Sequence, residues 1–171
     1  ISLFQYLLFL CLYTYKKYSP LRIFQIIETS KLNIDGNVLD LGSSNSSNNI
    51  LKYKKTVKNI KYADKFSDKS EIIQIDLEKF PNNITENFHY VFLFNVMEHI
   101  KNFDNCLKNA FNLVKEGGKL IGSTPFLFRV HSSPNDYLRF TDQFLMEKFK
   151  EVGFSKYKVH VLIGGIFISF F

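Results

Sequence analysis

Cysteine appears only twice in these 171 residues, at Cys11 and Cys106. Two thiols cannot staple a disulfide-dense scaffold, and their separation fits no zinc knuckle. The expected setting is reducing and cytoplasmic. Glycine (8) and proline (4) are scarce, and apolar residues (46%) outweigh charged ones (22%). That balance excludes collagen-like repeats, disorder and low-complexity stalks. Arginine is rare too: Arg22, Arg129 and Arg139 stand against 19 lysines in a net charge of +6. Proteins that read nucleic acid lean on arginine for bidentate contacts, so a nucleic-acid partner is disfavoured. No histidine, cysteine and carboxylate set has metal-ligand spacing along the chain, and no metal is expected.

Residues 1–13 are strongly apolar, but they fall short of the ~20 residues a spanning helix needs. They have neither a basic leader nor a small-residue cleavage site, so a signal peptide is not supported. Two readings stay open. One is a helix packed on the core. The other is an anchor over residues 1–17 at the inner face of a membrane, with Lys16 and Lys17 as its basic flank. Residues 163–171 are also apolar and finish on Phe170 and Phe171. Termini usually sit at the surface, so a C-terminal part of the fold is expected to be missing.

Between these ends, short apolar runs alternate with helix-like segments. Strands are expected at residues 37–42, 60–64, 71–76, 88–96, 119–123 and 156–163. The run FHYVFLFNV at 88–96 is nearly all apolar, as in a strand covered on both faces. Helices are expected at 50–58, at 102–114 with Gly117 and Gly118 as the stop, and at 142–152 between a Thr141 cap and Gly153. Such alternation implies parallel pairing through right-handed crossovers, hence an α/β sandwich. Residues 1–33 form an N-terminal helical segment on a domain of residues 34–171.

Ligands in such sheets bind at the carboxyl ends of the strands. After the first strand come Asp40 and Gly42, then a turn of Ser43, Ser44, Asn45 and Ser46, small enough for a ligand to approach the backbone. After the second comes Asp64, where a carboxylate can accept from both hydroxyls of a ribose. After the third come Asp76, able to accept from an exocyclic amine, and Leu77, able to pack on a flat ring. After the fourth come Asn95, Glu98 and His99. Each has a plain alternative, as turn, cap or helix N-terminus. Their order at successive strand ends favours one shared site.

These segments, VLDLGSSNSS, YAD, IIQIDLEKFP, FHYVFLFNVMEHI and LVKEGGKLIGSTPF, resemble the class I S-adenosylmethionine-dependent methyltransferases, over residues 38–154. The nearest likeness is to the bacterial type 11 methyltransferase domains. One branch of that group also has a segment similar to PFLFRVHSSPNDYLRFT. The resemblance implies a Rossmann-like, doubly wound, mostly parallel seven-stranded sheet sandwiched by helices, with S-adenosylmethionine as cofactor. It implies that Asp40, Gly42 and Ser44 lie beside the methionine moiety, that Asp64 holds the ribose, that Asp76 and Leu77 flank adenine, and that Asn95 lines the floor. The family's loop carries alternating glycines; here only Gly42 remains, with Ser44 and Ser46 at the later positions.

Methyl transfer from a sulfonium is an in-line displacement, so the protein's main work is to place the acceptor behind the methyl. A hydroxyl acceptor gains from a general base, for which the candidates are His131, Asp136 and His99. Arg129, Tyr137 and Arg139 are the candidate substrate contacts, because an arginine fork suits Asp136 or a substrate phosphate or carboxylate. The structural alternatives are an Arg139–Asp136 pair that ties down a long loop and a His99 that caps a helix. Lys52, Lys54, Lys55, Lys58, Lys61 and Lys65 form either a solvated surface or a patch for an anionic partner. The expected activity is methylation of a small molecule or saccharide, in the setting of glycan or cell-envelope biosynthesis. The alternative is a degenerate, non-catalytic binding or scaffold module. A nicotinamide-dependent oxidoreductase is disfavoured, because residues 42–47 lack the G-x-G-x-x-G turn.

Overall fold

The computed structural model describes residues 3–43, 57, 59–79, 84–132, 134–162 and 165–170. The elements run α1 (Leu3–Thr14), α2 (Pro20–Ser30), β1 (Asn37–Leu41), β2 (Asn59–Asp64), β3 (Ile72–Gln74) and β4 (Phe88–Phe94). A 3-10 helix (Met97–His99) follows, then α3 (Phe103–Asn112), β5 (Val114–Pro125), α4 (Asp142–Val152), β6 (Tyr157–Leu162) and β7 (Gly165–Phe170). The sheet order is β3-β2-β1-β4-β5-β7-β6. β1 to β5 pair in parallel, and β7 runs antiparallel to both of its neighbours. This is the Rossmann-like, doubly wound sheet expected from the sequence. The expected helix at 50–58 lies, apart from Val57, outside the described residues.

Alternation along the strands sorts the core into two faces. Val91 and Leu93 of β4 join Leu39, Leu41, Leu120, Ile166 and Ile168 under α3 and α4, against Cys106, Leu107, Leu145 and Phe149. Phe92 points the other way, with Val38, Ile121 and Phe167. On that side Leu12 of α1 and Ile23, Ile26 and Ile27 of α2 close over Phe94. Ser19 caps α2 by accepting from the Arg22 N–H at 3.3 Å, with Pro20 in the first turn. Thr141 caps α4 in the same way through the Phe144 N–H, and Gly153 ends that helix at φ 115°. α1 leaves Phe4, Tyr6, Leu7, Leu10 and Tyr13 exposed. Among the described residues no helix is long and apolar enough to cross a membrane.

One expectation needs correction. Gly117 and Gly118 do not stop a helix: α3 ends at Asn112 with Leu113 as its cap, and both glycines lie in β5. Gly118 sits where the β4–β5 ladder is irregular, between Phe88 and Tyr90. A Cβ there would meet the Lys115 and His89 carbonyl oxygens at 2.8 and 2.9 Å, so the glycine serves close backbone approach. The apolar run near residue 170 belongs to the sheet. It is β7, buried between β5 and β6.

Candidate functional site

The carboxyl ends of β1, β2 and β4 open onto a cavity of about 760 Å³, a size suited to a cofactor together with a small molecule. Gly42 forms one lip. Its φ is 77°, its N–H donates to the Ala63 carbonyl at 2.7 Å, and a Cβ would fall 2.2 Å from Val96 Cγ2. Glycine is therefore needed there on both conformational and steric grounds. Asp64 ends β2 on the cavity wall, and its Oδ1 accepts from the Phe66 N–H at 2.8 Å. Ile75, Leu77 and Phe66 supply apolar wall beside it.

Asn95 lines the floor at φ 53°, a left-handed backbone that asparagine tolerates. Its N–H donates to the Ser123 carbonyl at 2.8 Å. Gln25, buried in α2, donates through Nε2 to Asn95 Oδ1 and to Ser123 Oγ, both at 2.8 Å. Sequence reasoning missed Gln25. A lone polar residue inside the apolar stripe of an amphipathic helix was the available signal. It also missed Glu78, which lines the cavity, accepts from the Lys101 and Asn102 N–H groups at 3.0 Å and pairs with Lys65 at 3.2 Å. The hydrogen bond from Asn102 is the main cause that lowers the Glu78 pKa.

Other candidates stand elsewhere. Asp40 is buried in β1, off the cavity wall. Burial and, second, the Asp40 charge push the neighbouring Tyr62 phenol up. Asp76 is held by Lys65 at 3.3 Å and by its own turn, where Oδ1 accepts from the Glu78 N–H. Ser44 lies outside the described residues. Arg129 is exposed.

At the other end of the cavity, His99 and Tyr137 lie on the wall. The Tyr137 and Leu138 N–H groups donate to the Glu98 backbone carbonyl at 2.8 and 3.2 Å, which pins the segment after β5 to the 3-10 helix. Within that segment Arg139 grips Asp136 with two bonds, Nη1–Oδ1 at 2.5 Å and Nη2–Oδ2 at 2.7 Å. The Asp136 side chain is 1% exposed. The Arg139 guanidinium, with the His131 N–H as a further donor, holds its carboxyl well below the usual carboxylate range. Asp136 Oδ2 also lies 3.2 Å from His131 Nδ1. The His131 ring meets the His99 ring edge-on at 5.0 Å between centroids. Behind them Glu98 is wholly buried, and burial pushes its carboxyl up to about 7. Spacing along the sequence hid this grouping. In the fold, ligand atoms of Glu98, His99 and His131 come within 4.8 Å of one another.

The wall fits the cofactor implied by the resemblance: the Gly42 cradle, the Asp64 carboxylate and the Ile75–Leu77 surface face one cavity. A family model described as a methyltransferase domain matches residues 15–155. No curated protein matches the chain. Among solved structures, the DhpI–SAH complex aligns with a TM-score of 0.72 at 16% identity, covering 98% of this chain and 92% of that one. A SAM-dependent methyltransferase from Thermotoga maritima, described as a possible histamine N-methyltransferase, aligns at 0.66 and 16% identity, over 93% and 92%. The Burkholderia thailandensis 1,6-didemethyltoxoflavin-N1-methyltransferase, bound to 1,6-didemethyltoxoflavin and S-adenosylhomocysteine, aligns at 0.65 and 12% identity, over 91% and 79%. At such identities the likeness establishes a shared fold.

Proposed function

Because the chain belongs to the methyltransferase-domain family, as an S-adenosylmethionine-dependent methyltransferase, we propose that it methylates a small molecule or saccharide presented beside His99 and His131. The observation that carries this reading is the chain of contacts Arg139–Asp136–His131 next to the His99 wall of the cavity. Gly42, Asp64, Leu77 and Asn95 are the cofactor contacts. Asp64 keeps one carboxylate oxygen for a ribose, since the Phe66 N–H occupies the other. When bound, S-adenosylmethionine supplies a methyl carbon on a positively charged sulfur.

His131 holds the acceptor's proton at a ring nitrogen. Asp136 lies 3.2 Å from that imidazole's Nδ1, and Arg139 fixes Asp136 in turn. His99 and Tyr137 bound the acceptor's place on the wall. Arg129, exposed on the same segment, is available to an anionic group on the acceptor. The exposed apolar side of α1, followed by Lys16 and Lys17, supports peripheral contact of residues 1–17 with an anionic membrane surface on the cytoplasmic side.

The test begins with calorimetric titration of S-adenosylmethionine and its demethylated product. Micromolar binding is expected, weakened roughly 10- to 100-fold in Asp64→Ala through loss of a charged hydrogen-bond acceptor. An acceptor screen then compares His131→Asn with the parent, and turnover should fall about 10²- to 10⁴-fold with cofactor binding intact. A folded chain that binds no cofactor returns the reading to a scaffold module. Unchanged turnover in His131→Asn removes the base assigned here.

A further inference from the structure

We propose that Glu98, His99 and His131 bind a divalent first-row transition-metal cation. One ligand atom from each lies within 4.8 Å of the others. Atoms so placed can share a cation at no more than about 2.8 Å, and shifts of under about 1 Å bring them to ordinary zinc–ligand lengths. Proximity alone would not carry the assignment. Two further observations do.

The first is an uncompensated buried oxygen. Glu98 is 0% exposed, and its Oε1 has no hydrogen-bond partner among the described residues. That oxygen faces His99 Nε2 at 3.8 Å. The Asn135 carbonyl, 2.5 Å from His99 Nδ1, can only accept, so Nδ1 donates and Nε2 is the nitrogen left to face Glu98. A buried carboxyl oxygen and an imidazole nitrogen thus oppose each other with no hydrogen bond between them. A proton or a cation between them would satisfy both, and the third ligand atom of His131 close by favours the cation.

The second observation is the setting of the two imidazoles. Metal-bound histidines back their other ring nitrogen onto a carbonyl or carboxylate. The Asn135 carbonyl does this for His99, whereas His131 Nδ1, 3.2 Å from Asp136, is a second buried atom with no hydrogen-bond partner among the described residues. Arg139 anchors that carboxylate through two bonds. Two nitrogens with one carboxylate oxygen suit zinc, iron(II) or nickel better than magnesium or calcium, which prefer oxygen alone. Three protein ligands also leave coordination positions for a small molecule. The role of the cation rests on the acceptor reading above. An acceptor oxygen bound to it would release its proton to solvent more readily, so that His131 acts as a ligand and is not needed as the base. Binding of the cation needs no acceptor.

The full chain, stripped with a chelator, is titrated with Co²⁺, read by visible d–d absorption, with Zn²⁺ as competitor. One equivalent is expected to bind and to be displaced by zinc. Glu98→Gln and His131→Asn should each weaken binding roughly tenfold or more. If Glu98→Gln fails to fold, His131→Asn carries the comparison, because that side chain is 32% exposed. Calorimetric binding of S-adenosylmethionine by His131→Asn is the check on its fold. Cobalt bound no more tightly than about 1 mM overturns the proposal. Binding that survives both substitutions also overturns it, as an adventitious cation elsewhere. The cobalt spectrum and the cofactor titration are separate readouts, so failure of one reading is distinguishable from failure of the other.

Discussion

At the residue scale, the site depends on a few positions that tolerate nothing else. Gly42 combines a left-handed backbone with a space already filled by Val96. Gly42→Ala is expected to destabilise the fold by about 1–3 kcal/mol and to weaken cofactor binding in parallel. Thermal melts and calorimetry check both effects, and a variant with the parent's melting point and affinity would refute the steric account. Gly42, Asp64, Leu77, Asn95 and His99 were legible as rim residues because each stands at or a few residues beyond the carboxyl end of its strand. Gln25 and Glu78 were not. Gln25 acts on Asn95 across 70 positions of chain, and Glu78 acts on Asn102 across 24. Only folding brings such partners together. The same holds for Glu98, whose sequence neighbourhood says nothing of how deeply it is buried.

Elements are joined by similar side-chain ties. Glu78, just after β3, accepts from the first free N–H groups before α3 and pairs with Lys65 at the end of β2. Its folded pKa lies below the unfolded value, so the tie contributes stability above the unfolded glutamate value of about 4.3. That contribution is lost as pH falls through the lower, folded value. The melting temperature of the parent should therefore drop relative to Glu78→Gln on acidification, and the gap should close at the lowest pH. Parallel curves for the two proteins would show that Glu78 does not couple these elements. Element type was readable wherever burial and period agreed, as in β4 and in α4 with its Thr141 and Gly153 caps. It was misread at Gly117 and Gly118, where a stop signal coincides with an irregular ladder. The physical reason is that a glycine marks close approach as well as chain reversal.

On the scale of the whole molecule, the parallel strands set the rim, and the antiparallel β7 joins β6 to them. β7 pairs with β5 from Leu120 to Pro125 and with β6 from Tyr157 to Leu162. Ile166, Phe167 and Ile168 enter the core on both faces. A chain lacking residues 165–170 is expected to lose cooperative unfolding and to bind a hydrophobic dye, since β5 and β6 lose their shared partner. A sharp melt close to the parent's would contradict that. The α/β class was legible from alternation, and the doubly wound, seven-stranded form from the family resemblance. β7 was not, because a continuous apolar run carries no period to identify it.

The position of β7 also bears on how the chain is made. A ribosome delivers β5 well before β7, and β6 emerges between them. Throughout the synthesis of residues 126–164, therefore, the β5 edge has no partner of its own, and β6 has no strand to pair with. Nascent chains at that stage expose an apolar, hydrogen-bond-hungry edge beside the half-built cofactor rim. Chaperone demand and aggregation should then track the time spent on this stretch, so that codon choice between Phe126 and Leu162 becomes a determinant of yield.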